Sequence, residues 1–310
     1  MADATAQEIG EVGLIERVLE RLSDSIGSSS YVLLGPGDDA AVVAVPDGRV
    51  VATTDVLVEG VHFRRDWSTA YDVGRKAAAA NLADVAAMGA TATALLVGLV
   101  APADLPVAWA VGLADGLRDE SALVGAVVVG GDTVAGKQIV VSVTALGDLA
   151  GRAPVTRAGA RVGDIVVVGG PLGGSAAGLA MLQAGHPDGP LVEAHLRPSP
   201  AYSLGPVLAA AGARAMCDVS DGLAVDLGRL AAASGVAMEV DVAAVPRLEG
   251  VTQDQALRGG EDHVLVATIP PGAVEALAAL GVVAIGRVRT GSGVRDLDGN
   301  PLVGGWEHFR

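Results

Sequence analysis

A mixed α/β protein of two domains is what this sequence predicts, and three observations carry that expectation. The chain has 310 residues, too long for one ordinary domain and comfortable for two of about 150. Apolar residues make up 51% of it and aromatics only 3%, so its cores must be built from Ala, Val, Leu and Ile. Short β-branched runs alternate with longer segments whose apolar residues recur at helical spacing. The 43 glycines follow no three-residue period, which removes a collagen-like reading.

Taken in order, residues 6–22 place Ile9, Val12, Leu14, Ile15, Val18, Leu19 and Leu22 at helical spacing and predict an amphipathic opening helix. Residues 40–45 and 49–58 read as strands split by the turn Pro46-Asp47-Gly48. A long helix is expected from about Thr69 to Met88, with Ser68 or Thr69 as N-cap and Gly89 as its stop. A strand (92–100), a helix (105–123) and strands at 125–129 and 138–148 follow. The text then turns basic and loop-like over 151–163, which places a domain boundary there and gives domains 1–150 and 151–310. The second half reads as strand 165–168, a glycine-rich turn, helices 174–184 and 200–212, strand 215–219 and helix 222–234. Strands near 236–241, 263–269 and 282–288 complete it, and no repeat of solenoid length is visible.

Composition narrows the function. A net charge of −15 argues against a nucleic-acid surface, and if the substrates are phosphates, it calls for metal ions between carboxylates and phosphates. Acidic surfaces also simply keep proteins in solution, a reading that suffices for most of the carboxylates. The single cysteine, Cys217, cannot form an internal disulfide, which fits a reducing cytoplasm. The N-terminal text shows no signal peptide, and the alanine-rich run around 77–98 is broken by Asn81, Asp84 and Gly89, so a soluble protein is expected.

Four acidic motifs stand at expected strand ends or in glycine-flanked turns. Gly35-Pro-Gly-Asp-Asp39 puts two carboxylates beside a tight turn, and Thr53-Thr54-Asp55 is expected to close an apolar strand. Gly130-Gly131-Asp132-Thr133 is expected to end the strand 126–129, and Asp218-Val219-Ser220-Asp221-Gly222 precedes an apolar helix. Each alone reads equally as a turn or N-cap. Together they point to a shared oxygen-ligand site. Asp84 adds to this, because Ala80, Ala83, Val85 and Met88 surround it in sequence and only Asn81 offers a polar neighbour. A bare carboxylate buried there would cost several kcal/mol, which a bound cation removes; a hydrogen-bonded structural Asp is the alternative. Aspartate and threonine oxygens without a Cys or His cluster suit Mg²⁺ rather than Zn²⁺, and Mg²⁺ held by carboxylates implies a nucleotide.

Two glycine-rich stretches need separate treatment. Gly131 to Lys137 matches the start of a P-loop, but Gln138 stands where Ser or Thr should be and a strand-like run follows, so that reading is rejected. Val166 to Ser175 leads from strand to helix, and its amides could hold an anion or simply pack tightly.

These motifs, in this order, resemble the thiamine-monophosphate kinase family, within the superfamily that also holds aminoimidazole ribonucleotide synthetase, selenophosphate synthetase and a hydrogenase maturation factor. The segments GPGDDAAVV, TTDVLVEGVHF, KAAAANLADVAAMGA, GGDT, GRAPVTRAGA, HLRPSP, CDVSDGLAVDLGRL and GGEDHVL carry the resemblance across nearly the whole chain. It implies the two-domain aminoimidazole ribonucleotide synthetase-like fold, a homodimer formed through the N-terminal domains, and ATP-dependent phosphorylation of thiamine monophosphate. It implies Mg²⁺ at Asp39, Thr53, Thr54, Asp55, Asp84, Asp132, Asp218 and Asp221, and ATP at Gly131, Asp132, Arg157 and Ser220. Thiamine monophosphate is implied beside His62, Glu261 and the C-terminal aromatic Trp306. For Arg157, His62, Glu261 and Trp306 the bland readings are a solvated linker arginine, a surface histidine, a turn carboxylate and a tail anchor.

The acceptor implied by the resemblance is a phosphate monoester with a second pKa of about 6, already mostly a dianion near pH 7. Such an acceptor needs no strong base, only relief from repulsion, which Asp39, Asp55, Asp84, Asp132 and Asp218 would arrange through several Mg²⁺ ions. Purine-precursor ring closure and a non-catalytic maturation scaffold are the competing readings. The GGED segment disfavours the first, and the full set of carboxylates disfavours the second.

Overall fold

The computed structural model describes residues 4–36 and 40–307. The chain divides into two compact units, Met1–Val85 with Thr91–Ala150, and Ala86–Ala90 with Gly151–Arg310.

The first unit opens with α1 (Ala6–Ser28), started by a reciprocal cap in which Thr5 Oγ1 accepts from Glu8 N and Glu8 accepts from Thr5 N. A small antiparallel pair, β1 (Val32–Leu34) and β2 (Val42–Val43), follows. Then come β3 (Val51–Val58), α2 (Ala70–Ala87), β4 (Thr91–Ala101), α3 (Val107–Ala122), β5 (Val127–Ala135) and β6 (Val140–Asp148). The sheet order is β3-β6-β4-β5, antiparallel except for the parallel β4–β5 pair. Helix α2 is capped by Thr69, whose hydroxyl accepts from Asp72 N while Asp72 accepts from Thr69 N. Its residues Ala77 to Ala80, Leu82, Ala83 and Val85 are all buried, so it is apolar nearly all round and shows little amphipathic pattern.

The second unit holds β7 (Ile165–Val168), α4 (Gly174–Gln183), α5 (Pro190–Leu196), α6 (Leu204–Ala210), β8 (Ala215–Val219), α7 (Leu223–Ser234) and β9 (Ala237–Val240). It continues with α8 (Gln253–Arg258), β10 (Val264–Ile269), a 3₁₀ turn (Pro271–Ala273), α9 (Val274–Ala278), β11 (Val283–Arg289) and β12 (Gly293–Asp296). Its sheet runs β12-β9-β11-β7-β10-β8, antiparallel except at β12–β9. Every residue of β7, β8 and β10 is buried, which is why these strands are apolar but for Asp218 and Thr268. Leu223, Leu227 and Leu230 of α7 pack with Val166, Cys217, Val266 and Ile285 in one core.

The mixed α/β expectation holds, with local corrections. The strand expected at 125–129 continues to Ala135, so Gly131-Asp132 lies inside a strand instead of ending one. Thr53-Thr54-Asp55 likewise sits in the middle of β3. The expected helix 200–212 is confined to Leu204–Ala210, because Pro198 and Pro200 favour extended backbone before it. Elements β1, α5, α8, α9 and β12 were not anticipated. They are short, and α5 and α8 begin from local signals, a proline at the first helical position and the Thr252–Gln255 cap.

Candidate active site

In the first unit, β3 pairs with β6 through Thr53↔Ala145, Asp55↔Val143 and Leu57↔Val141, and these β6 partners are fully buried. Thr53 and Asp55 therefore share the covered face, and strand alternation turns Thr54 to the other. On the covered face Thr53 Oγ1 donates to Asp84 Oδ2 at 2.7 Å, and Asn81 Oδ1 accepts from the Asp55 amide at 3.1 Å. Asn81 also donates to Ala77 O at 2.9 Å, so α2 presents a short polar stripe to β3. Asp84 is half-buried rather than enclosed, and a threonine 31 residues away meets it, which no inspection of its helix neighbours could show. Across the sheet, Thr54 donates to Val143 O at 3.0 Å and accepts from Thr144 Oγ1 at 3.1 Å.

Gly131 and Asp132 stand apart from this group. One row of register partners runs Asp55, Val143, Val97, Gly131. Gly131 is thus three strands from Asp55, about 14 Å at ordinary interstrand spacing, and Asp132 takes the opposite face. Gly131 has to be glycine, since a Cβ there would lie 1.9 Å from Val97 O. Asp132 Oδ1 accepts from the Thr133 amide at 2.8 Å. Asp39 lies outside the described residues. Among the described residues, no three His, Cys, Asp or Glu side chains converge as they would around a preassembled metal centre.

His62 sits in the turn that follows β3. The Val58 amide donates to His62 Nδ1 at 3.0 Å, and the buried Lys76 of α2 donates from Nζ to His62 O at 3.1 Å.

The second unit builds its acidic turn differently. Asp218, at the buried end of β8, pairs through Oδ2 with His263 Nδ1 at 3.0 Å. Asp226, on the first turn of α7, accepts through Oδ2 from the Ser220 and Asp221 amides at 3.1 and 3.0 Å. Arg229 donates to Asp226 Oδ1 and pairs with Asp221 Oδ2, each at 2.6 Å. Burial is the largest influence on Asp226 and pushes its carboxyl up to about 6; the Asp221 amide opposes that rise, Asp218 adds to it and Arg229 reduces it. Burial likewise pushes the Cys217 thiol well above its ordinary value. Neither Asp226 nor Arg229 was singled out from sequence, although an Asp and an Arg three apart just after Asp-Gly-Leu were the available signal.

Glu261 and His263 adopt positive φ of 64° and 54°, an uncommon conformation for such residues. It is held by hydrogen bonds from the Glu261 amide to Ser220 O at 2.8 Å and from the His263 amide to Val219 O at 2.9 Å. The approach is so close that a Cβ on Gly260 would fall 2.5 Å from Ser220 O. The GGED segment and the acidic turn are therefore one backbone construction. Glu261 Oε2 lies 3.7 Å from His195 Nδ1, which also meets Ser175 Oγ at 2.9 Å. The amides at the start of α4, offered by sequence as an anion seat, hold Asp262 instead, with Gly173 N at 2.6 Å and Ser175 N at 2.9 Å. Burial still raises the Asp262 carboxyl against those two bonds. The continuous strand β5 over Val127–Ala135 agrees with rejecting a P-loop at Gly131–Lys137, which needs a helix.

Trp306 has its amide bound to Asp221 O at 2.9 Å while the residue is 52% exposed. Its backbone is anchored, and about half of the residue's surface is exposed. Arg157 is exposed, and its carbonyl accepts from Ser234 Oγ at 3.1 Å.

Residues 37–149 match the AIR synthase related protein N-terminal domain and residues 161–296 match the corresponding C-terminal domain. Over 98% of its length the chain is 47% identical to thiamine-monophosphate kinase of Mycobacterium tuberculosis strain H37Rv, covering 93% of that protein. It belongs to the thiamine-monophosphate kinase family. With the Escherichia coli K12 thiamine-monophosphate kinase it shares 36% identity, covering 97% of each chain. Among solved structures, thiamine-monophosphate kinase from Stenotrophomonas maltophilia superposes with a TM-score of 0.85 at 34% identity, over 92% of this chain and 96% of that one. AaThiL complexed with AMPPCP and TMP gives 0.79 at 33% identity, over 97% and 98%. Hydrogenase maturation protein HypE shares the fold at 19% identity and a TM-score of 0.76, over 94% of this chain and 97% of that one.

As a member of this enzyme family the chain carries donors that fit a hard divalent cation. Thr53, Asp55 and Asp84 offer hydroxyl and carboxylate oxygens on one sheet face, and the Thr53–Asp84 bond is one that a metal could share or replace. The residues that sequence reasoning passed over hold the candidates in place: Lys76 at His62, His263 at Asp218, and Asp226 with Arg229 at the acidic turn.

Proposed function

We propose that the chain transfers the γ-phosphoryl group of ATP to thiamine monophosphate, giving thiamine diphosphate and ADP. The observation that carries this is the 47% identity to a thiamine-monophosphate kinase over 98% of the chain, across both units. The relative solved with AMPPCP and TMP, an ATP analogue and, on this reading, the acceptor, supports it. The reaction would complete the making of thiamine diphosphate, in a cytoplasmic setting that suits the single buried thiol of Cys217.

The residues divide the work in this reading. Asp39, Thr53, Thr54, Asp55, Asp84, Asp132, Asp218 and Asp221 would hold Mg²⁺, by side chain or backbone oxygen. Bound Mg²⁺ would supply the positive charge that lets two phosphates approach. Gly131, Asp132, Arg157 and Ser220 would orient the nucleotide, with Gly131 kept as glycine by the close approach of Val97 O in the neighbouring strand. His62, Glu261 and Trp306 orient the acceptor. Glu261 is suited to a cationic ring, being held by its strained backbone against the acidic turn. The dianionic acceptor oxygen attacks without a general base, in line with the leaving ADP. The first unit would carry most metal ligands and the second would complete the nucleotide and acceptor sites. Exposed Val56 and Leu96, in the first unit, are a natural contact for a homodimer.

The test is a substrate screen with ATP and Mg²⁺ against thiamine, thiamine monophosphate and an aminoimidazole precursor amidine. Only thiamine monophosphate should yield a phosphorylated product with one ADP each. ADP formed with the amidine alone would replace this reading with ring closure, and turnover with neither would favour a scaffold.

A further inference from the structure

The turn carrying His62 is fixed at many points within the first unit. The Val61 and His62 amides donate to Val58 O at 3.1 and 2.9 Å, and the Gly60 amide donates to Phe63 O at 2.8 Å. The Glu59 amide donates to Ile139 O at 3.0 Å. Phe63 is buried and stacks on Trp109 of α3, with ring centroids 6.5 Å apart. Two further contacts act on His62 itself. The Val58 N–H points at Nδ1 from 3.0 Å, and the Lys76 ammonium donates to the His62 carbonyl at 3.1 Å.

The first of these settles the chemistry of the ring. A nitrogen that accepts a backbone N–H must present a lone pair, so the proton of the neutral imidazole is on Nε2. Any group lying against Nε2 then meets a donor. A phosphate oxygen can accept from such a donor. The ring cannot at the same time take a proton there, which agrees with an acceptor that is already a dianion.

The second contact explains an otherwise costly residue. Lys76 is only 3% exposed, on a helix whose neighbours are alanines, and a buried ammonium is unfavourable where a methionine would pack without penalty. One contribution is to hold the His62 carbonyl, and the ammonium lies beside the turn, where an anionic substrate gains from a nearby positive charge.

We infer that Lys76 is a positioning residue of the acceptor site, fixing His62 as an Nε2–H donor to the acceptor phosphate. The part concerning the phosphate rests on the proposed role of His62. The tether and the tautomer stand on the unliganded geometry alone.

The experiment has an arm for each part. Nitrogen-15 NMR of the imidazoles in the full-length, ligand-free protein, with His62 assigned by comparison with His62→Gln, should show Nδ1 as the unprotonated nitrogen. In Lys76→Met that signature should weaken or split between tautomers. An Nδ1–H tautomer in the wild type would overturn the inference whether or not the chain is a kinase. So would a Lys76→Met spectrum identical to the wild type. In kinetics, Lys76→Met should raise the thiamine monophosphate KM about tenfold with ATP KM and kcat little changed, as for loss of a contact to a charged group made equally in ground and transition states. His62→Gln can place a donor where Nε2–H stood and should keep the acceptor KM within about threefold, while His62→Asn keeps only an Nδ1-like acceptor and should lose about tenfold. Equal KM values for the Gln and Asn variants would refute the donor role. Should Lys76→Met fail to fold, the wild-type tautomer and the Gln–Asn contrast still decide. A correct tautomer with no turnover of thiamine monophosphate by the wild type would confine the failure to the functional reading.

Discussion

In the first unit the carboxylate of Asp84 is met by the neutral hydroxyl of Thr53, and the Asp55 amide by the neutral side chain of Asn81. In the second unit Asp218 is paired with His263, and Asp221 and Asp226 share the cation of Arg229. The contrast separates two jobs. A neutral donor such as the Thr53 hydroxyl orients a carboxylate without neutralising it, whereas the Arg229 cation offsets the charge of the carboxylates it meets. On the proposed reading the Thr53–Asp84 group of the first unit is the better place to seek metal, and the second unit's turn, tied by the Glu261 and His263 backbone bonds, would contribute to the nucleotide and acceptor sites.

The comparison can be broken most sharply at Asp84. Asp84→Asn keeps the acceptor for Thr53 and loses the charge, so turnover should fall about a thousandfold while the melting temperature barely moves. Near-normal turnover with ordinary metal dependence would remove the role assigned to the first unit.

The next effect in size concerns Asp226 and pH. Its carboxyl is raised to about 6, so the folded state binds its proton at pH values where the unfolded chain has lost it. The stabilisation is complete below about pH 4, the unfolded value, and is lost as pH rises through 6, an excursion of about 3 kcal/mol. Urea unfolding of the wild type against Asp226→Asn, in metal-free buffer from pH 4 to 7, should show the wild type losing ground with rising pH. A flat difference would mean that the Arg229 pair and the two amides fully offset burial.

Smaller again is Asp226→Ala, which leaves the Ser220 and Asp221 amides without their acceptor and should cost about 2 kcal/mol of stability. Urea midpoints check this. A change below half of that would show the turn to be held chiefly by the Glu261 and His263 backbone bonds.

How much of this could be read from the sequence differs between the same two regions. The strands at 165–168 and 215–219 were legible to the residue, because burial on both faces writes itself as a run that is apolar but for Asp218. In the site, the acidic motifs were legible as motifs, but their company was not. Asp84 looked isolated in its helix because its partner Thr53 arrives by folding, from a strand 31 residues earlier. Gly131-Asp132 looked like a strand end, since two glycines break the local pattern; only pairing with β4 shows the strand passing through them. The glycine-rich start of α4 looked open to an anion, and the fold fills it with Asp262, 89 residues away in sequence from Gly173. Partners at long sequence separation leave no periodic trace.

The smallest effect expected is at Trp306. Because its amide, not its ring, binds Asp221 O, Trp306→Ala should leave thermal stability and ATP KM nearly unchanged. Loss of a stacking or cation–π contact of about 1 kcal/mol should raise the thiamine monophosphate KM about fivefold. Lower stability with an unchanged acceptor KM would make the residue a tail anchor alone.

The most direct test of the central claim follows the label of γ-labelled ATP in the presence of Mg²⁺, first without and then with thiamine monophosphate. The account predicts no label on the protein in the first case. In the second, it predicts stoichiometric transfer into the terminal phosphate of thiamine diphosphate, abolished by a chelator. A chemically competent phosphoenzyme, or ADP released with no labelled thiamine diphosphate, would contradict it.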